Sequence, residues 1–318
     1  MGRNAMSRKS LIFVCKLLGT VVLCTMLYRA IPWQAVAESA AQIDVGILSL
    51  GLLLFVPQTL ASAWRWQRLL RPLAEVSFIE ALRQTLAANA LNLVVPAKLG
   101  DFSKVAMVGD DPAVRKQAAL RALLEKLGDV AMLLAAIGLG FLGLSAAQAL
   151  GLTLGFVALL VVVRRLQSRE FDYATWIGST ALLWTMHLAQ LHFFIRACGV
   201  EVSLATTLQR APIALFAGLI PAAFCGIGTR DAALVWLFAD VAPAPTMAIV
   251  GMLTALRYLV PGAVGIPVLM SLRRSALVAT EIEKRSTSDV ARTSPARPFG
   301  RYANRRPTRV PPAATEAG

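Results

Sequence analysis

Long apolar runs recur along most of this 318-residue chain, and they leave the backbone little choice. Inside a bilayer each N–H and C=O must be satisfied by the protein itself, so a run of about 20 apolar residues becomes a spanning helix. Such runs fall at 11–30, 45–63, 124–144, 149–163, 175–195 and 246–271. Three weaker segments, 84–97, 205–224 and 230–241, remain, and the first and last are short for a crossing of about 20 residues. The composition, 57% hydrophobic with a mean hydropathy of +0.63, is that of a membrane protein. The expected class is an all-α polytopic membrane protein of about 6–8 transmembrane helices with one or two re-entrant or broken helices.

Charge orders these segments. The net charge of +14 comes from 32 basic and 18 acidic residues. The basic residues flank the apolar runs, as Lys and Arg do in cytoplasmic loops, so nucleic-acid binding is a poor explanation. Arg3, Arg8 and Lys9 precede the first run; Arg65, Arg68, Arg71 and Arg83 lie in one loop, and Lys98, Lys104, Arg115, Lys116 and Arg121 in the next. Both loops are then cytoplasmic, and 84–97 enters and leaves on one side. Ala35-Val-Ala37 looks like a signal-peptide cleavage site, but the run from Leu11 to Ala30 is long enough to span, and an uncleaved first helix is expected. The expected organisation is a cytoplasmic N-terminus at 1–10, a transmembrane domain at 11–272 and a basic cytoplasmic tail at 273–318. From Leu272 onward ten basic residues face four acidic ones, and 285–318 is rich in Pro, Arg, Ser and Thr, a composition that predicts disorder. The expected location is the cell membrane, multi-pass, with both termini cytoplasmic.

Two Pro-Gly-acid breaks interrupt the apolar sequence. The first runs from Asn89 through Asn92, Pro96, Lys98 and Gly100 to Asp101; the second runs from Gly218 through Pro221, Gly226 and Gly228 to Arg230 and Asp231. Broken segments in both halves of a membrane protein point to a central site, with an internal inverted repeat as one arrangement. Irregular backbone at that depth needs protein or a wet cavity around it. Arg257 falls near the middle of the last run and Arg210 within 205–224. A central Arg costs about 2.5–3.5 kcal/mol on insertion scales, so each needs an anion. That anion is either an internal carboxylate (Asp231, Glu125 and Asp129 are available) or a lipid phosphate, whose geometry suits guanidinium. For Arg210 the internal carboxylate is the better reading. Arg121, Glu125 and Asp129, at i, i+4 and i+8, form one stripe in which Arg121 and Glu125 could pair. Lys98, Asp101 and Lys104 border the first break, where Asn89 and Asn92 could satisfy freed backbone groups.

Enzyme signatures are sparse. With His187 and His192 the only histidines, no HExxH metal site is possible, and no phosphate-binding P-loop occurs. The two histidines are about 140° apart around a helix and share no face. Gly143-Leu-Ser145-Ala146 is unconvincing as a nucleophile turn. Cys15, Cys24, Cys198 and Cys225 have no metal spacing and read as small buried residues.

Four stretches together resemble the lysylphosphatidylglycerol synthase transmembrane-region family, also described as a flippase-like domain. Trp64-Arg65-Trp66-Gln67-Arg68 follows the second run, and Asn92 through Pro96, Lys98, Gly100 and Asp101 to Lys104 resembles the family's first break. Glu125-Lys126-Leu127-Gly128-Asp129 resembles its Glu-Arg-x-x-Asp, and Pro221 through Asp231 its second break. Asp stands for Glu at 101 and 231, and Lys for Arg at 98, 104 and 126, which keeps charge but changes reach. The resemblance covers about Leu11 to Leu272. With only a basic tail after it, it implies the membrane half and no aminoacyl transfer. That half is linked in the family to moving modified or isoprenoid-type lipids between leaflets. The expectation is a lipid translocator, not an enzyme, with no cofactor, metal or catalytic residue. Arg230 and Arg257, helped by Lys98 or Lys104, would hold an anionic headgroup. Asp101, Glu125, Asp129 and Asp231 would orient those cations or bind a cationic headgroup, with Arg65 completing the set. The alternative is an accessory subunit of a separate membrane glycosyltransferase or lipid-modifying enzyme. An intramembrane enzyme ranks third, for want of a nucleophile–base pair.

Overall fold

The computed structural model describes residues 32–93, 95–142, 172–219 and 228–293, besides a few isolated positions. The runs at 11–30 and 149–163 and most of the second break, 220–227, lie outside these residues. The described chain is helical. In order it forms α1 (Trp33–Ala41), α2 (Val45–Leu53), α3 (Phe55–Leu70), α4 (Phe78–Asn92), a 3-10 segment (Pro96–Met107), α5 (Pro112–Phe141), α6 (Tyr173–Ala197), α7 (Leu204–Ala217), α8 (Thr229–Leu237) and α9 (Ala244–Thr293). Two stretches among the described residues are long and apolar enough to span: Val45–Leu70, which is α2 and α3 together, and Ala244–Leu272.

Local chemistry sets most helix starts. The side chains of Asp44, Ser77, Asp111, Asp172 and Ser203 each accept from a backbone N–H in the first turn of the helix that follows. Pro112, at the first position of α5, has no N–H to leave unsatisfied. The α2–α3 break falls where Pro57 has no N–H for the carbonyl of Leu53. Two buried amides bind this break to α6. Gln190 Nε2 donates to the Gly51 carbonyl at 2.8 Å, and Gln58 Nε2 to the Met186 carbonyl at 3.2 Å. In apolar surroundings an unpaired amide is costly, so both groups hold the helices in register.

The first break is a hairpin. The 3-10 segment turns back along α4, so that Gln84 Nε2 reaches the Met107 carbonyl at 3.3 Å while Asn92 Nδ2 reaches Asp101 Oδ1 at 2.6 Å nearer the tip. Gly100 permits the close approach of the two arms: a Cβ there would lie 2.6 Å from the Asn92 backbone nitrogen. That folding back is the geometry a re-entrant element requires. The hairpin packs on α5, and α3 packs on α4, α5 and α6.

Two apolar clusters carry the packing. Trp66, Leu69 and Leu70 of α3 meet Ala81 of α4 and Ala118 and Ala122 of α5, small residues that let helices approach closely. The larger cluster joins Leu188, Leu191, Phe194 and Ile195 of α6 to Ala211 and Ala214 of α7, Leu234 of α8 and Met247 to Val250 of α9. Large apolar side chains stay exposed on α3 (Val56, Leu60), α5 (Leu123, Leu127, Leu134) and α9 (Leu259, Val264, Met270), a surface suited to lipid tails.

These elements, up to Ser271, belong to one compact unit. A second unit starts at Leu272 and is helical as far as Thr293. Residues 285–293 are therefore helical where composition predicted disorder. This stretch holds Arg285, Ala291 and Arg292, and no helix-breaking Pro or Gly occurs before Pro295.

Candidate functional site

Six of the charged residues singled out in the sequence line one cavity in the first unit: Arg65, Asp101, Lys104, Glu125, Asp129 and Arg257. The cavity measures about 130 Å³, room for several waters at about 10–15 Å³ each. It lies among α3, the α4 hairpin, α5, α6 and α9, and Phe55, Leu183 and Trp184 add aromatic and aliphatic side chains to its lining.

Most of its charge is arranged as a ribbon of alternating sign. Arg65 sits at the centre. Its Nη2 donates to Glu125 Oε1 at 2.8 Å, and its Nη1 donates to Asp129 Oδ1 at 2.8 Å and to Thr180 Oγ1 at 3.0 Å. Glu125 and Asp129 can share one guanidinium because i, i+4 residues lie on one helix face. The second Glu125 oxygen accepts from Lys104 Nζ at 2.9 Å. That ammonium also lies 4.6 Å from the centroid of the Trp66 ring, whose Nε1 donates to Gln84 at 2.7 Å. On the other side Lys126 pairs with Asp101 and approaches Asp129 at 3.9 Å, and Asn92 closes the end through Asp101. Arg65, Lys104 and Glu125 are almost completely buried. Buried ions are tolerated when geometry and hydrogen bonding compensate their lost hydration, and here each has an opposite charge in contact.

Arg257 stands apart. It is 8% exposed, its Nη1 has no hydrogen-bond partner, and it pairs with no carboxylate among the described residues. Its guanidinium carbon lies 5.2 Å from the Tyr258 ring, and Arg257, Tyr258 and Pro261 all line the cavity. Pro261, four residues on, has no N–H to give the Arg257 carbonyl, so the helix ladder is interrupted at this point.

Several sequence expectations change. Glu125, which by spacing could pair with Arg121, holds Arg65 and Lys104, which reach it from α3 and the 3-10 segment. Arg230 and Asp231 lie outside the cavity lining and bind each other: Arg230 Nη2 meets Asp231 Oδ1 at 2.6 Å and the Gly251 carbonyl at 2.9 Å. The other Asp231 oxygen accepts from Gly228 N at 3.1 Å, and Gly228 begins α8 at φ 98°, a conformation that favours glycine. The Arg210 partner is Asp240, at 2.5 and 2.9 Å, a carboxylate the sequence reading had not considered. The Lys98 side chain lies outside the described residues. His187 lines the cavity, whereas His192 binds Thr207. Lys126, Thr180 and Tyr258 join the site without having been singled out for it. The Glu-Lys-x-x-Asp motif was the available signal for Lys126; nothing local distinguishes Thr180 or Tyr258.

Helices without strands among the described residues, two long apolar spans and a buried ionic site define an all-α membrane protein. The chain belongs to the lysylphosphatidylglycerol synthase transmembrane-region family, whose sequence profile matches residues 11–179, just over half of it. That family is one of membrane proteins linked to lipid metabolism. No curated protein matches the chain.

Proposed function

We propose that this protein binds an anionic lipid headgroup in the Arg257 cavity and carries the lipid between leaflets. The observation behind this reading is Arg257: a buried guanidinium near the middle of a spanning helix, lining a cavity, with no carboxylate partner among the described residues. An Arg at that depth needs a negative charge, and a lipid phosphate matches its two-pronged geometry. The remaining cavity charges bind one another, which favours a preformed binding site over a set of groups free for bond making. The basic flanks of the apolar runs favour cytoplasmic termini in a cell membrane. Without an ATP-binding motif, movement would be passive or ion-coupled.

The test is reconstitution of the full chain in vesicles containing a headgroup-labelled anionic lipid, with an impermeant quencher reporting the outer leaflet. The wild type is expected to speed exchange between leaflets and Arg257→Ala to lose that acceleration. Equal exchange by both would remove Arg257 from the function. In a deletion strain the transported lipid should keep its total amount and lose outer-leaflet exposure; its disappearance from the total would instead place the chain in that lipid's synthesis.

A further inference from the structure

We propose that α9 is a two-part lever hinged at Arg257–Pro261, and that the tip of the first hairpin swings with the lower part of α9 to widen and narrow the cavity. The device belongs to the fold and is measured without a ligand, so its failure leaves the headgroup-binding reading untouched. Up to Ser271, α9 is fastened at two places to different neighbours. Its upper part is held by α8 and α1. Arg230 Nη2 donates to the Gly251 carbonyl at 2.9 Å, a Cβ at Gly251 would lie 2.8 Å from Asp231 Oδ1, and Thr246 Oγ1 lies 3.4 Å from Ser39 Oγ. Met247 to Val250 are buried in the larger apolar cluster. The lower part is held by α4. A Cβ at Gly262 would lie 2.6 Å from Leu93 Cγ, and one at Gly265 would overlap the Leu86 carbonyl. Small residues let helices pack this closely, so lower α9 and α4 move as one body.

Between the two fastenings the helix is weak. Pro261 has no N–H for the Arg257 carbonyl, and Pro267 none for the Ala263 carbonyl. Thr254 Oγ1 donates to the Val250 carbonyl at 2.6 Å, a bond that favours bending. Helices kink where their ladder is interrupted. Arg257, Tyr258 and Pro261 line the cavity, and so do Thr85, Asn89 and Asn92 of α4. The seam between the fixed and moving parts therefore runs through the cavity, and a change of bend alters its width.

The hairpin itself is held unequally. At its base Trp66 Nε1 donates to Gln84 at 2.7 Å and Lys104 Nζ to Glu125 at 2.9 Å, all four side chains being almost completely buried. At its tip Asp101 pairs with Lys126 of α5, and these side chains are 15% and 28% exposed. Water reaches the tip pair, so releasing it costs far less than releasing the buried one. The base is the pivot and the tip moves. From Gln84 to Asn92, α4 rises about 12 Å. Tilting it by about 20°, the angle of a helix kink, displaces the tip by about 4 Å.

The experiment is double electron–electron resonance on the full chain in nanodiscs, with its four native cysteines replaced and spin labels paired at exposed sites. Leu99 at the hairpin tip and Met270 on lower α9 report the moving part; Leu50 on α2 and Leu142 at the end of α5 report the fixed part. Lys126→Gln releases the tip, Asp101→Asn releases the same pair from its other side, and Pro261→Ala restores an N–H to the Arg257 carbonyl. In either release variant, Leu99–Leu142 and Met270–Leu142 are each expected to show a second distance, shifted by up to about 4 Å. Leu99–Met270 and Leu50–Leu142 are expected to keep one distance, the latter also reporting an intact fold. Adding Pro261→Ala is expected to remove most of the second population. A single distance for every pair in both release variants overturns the moving tip. A second population that survives Pro261→Ala overturns the hinge. A second distance for Leu99–Met270 overturns joint movement, and one for Leu50–Leu142 overturns the division into fixed and moving parts.

Discussion

Replacing Glu125 by Gln tests whether the ribbon is a closed buried circuit. Glu125 is 2% exposed and accepts from two cations, at 2.8 Å from Arg65 and 2.9 Å from Lys104. Gln keeps the volume and one carbonyl oxygen but removes the charge. Arg65 retains Asp129 at 2.8 Å and Thr180 at 3.0 Å, so its loss is partial. Lys104 has only the Trp66 ring left among its described contacts, and the full penalty falls there. Stranding one member of a buried ion pair costs about 3–5 kcal/mol. At about 2–4 °C per kcal/mol, that lowers the melting temperature by about 6–20 °C. The assay is thermal unfolding of the purified chain in one detergent, for Glu125→Gln, Lys104→Met and the pair combined. The double substitution removes both charges and leaves the Arg65–Asp129 pair intact. It should therefore be more stable than Glu125→Gln alone and recover over half of that loss. A single substitution costing under about 1 kcal/mol, or a double one whose loss equals the sum of the singles, would refute the argument, because it would mean that water already screens these charges.

Three further outcomes are expected. Asp231→Asn keeps an acceptor for Gly228 N but leaves Arg230, 1% exposed, without its charge partner; unfolding should show a loss of about 3–5 kcal/mol, whereas Asp240→Asn, on an exposed pair, should change stability far less. Gly100→Ala drives a Cβ against Asn92 and should cost about 1–3 kcal/mol by overpacking, with faster amide exchange in the α4 hairpin as the local readout. Burial pushes the Cys198 thiol up to about 11. At pH 7 its thiolate is then a fraction on the order of 1 in 10,000, so a variant retaining Cys198 as its sole cysteine should resist maleimide until unfolded. Rapid labelling of the folded chain would contradict that burial.

The spans at 45–63 and 246–271 and the position of the first break were legible along the chain because each depends on neighbours in sequence. A run of apolar residues, a Ser or Asp before a helix, and a Pro without an N–H act over a few residues whatever the rest of the molecule does. The site was legible in part for the same reason. Glu125 and Asp129 share a helix face by spacing alone, and Arg257 is conspicuous as a charge within an apolar run.

Partnership among the charges was decided by the tertiary structure. Arg121 is the local candidate for Glu125, yet Arg65 reaches that carboxylate across 60 positions and Lys104 across 21. Arg230 and Arg257 look alike in sequence, each an Arg in an apolar setting. The first binds its sequence neighbour Asp231, and packing gives the second no carboxylate among the described residues. Coulomb energy depends on separation and local dielectric, and neither is a property of position along the chain. The sequence alone determined that this protein spans a membrane and carries charge within its apolar segments; the arrangement of helices determined which of those charges pair with one another among the described residues.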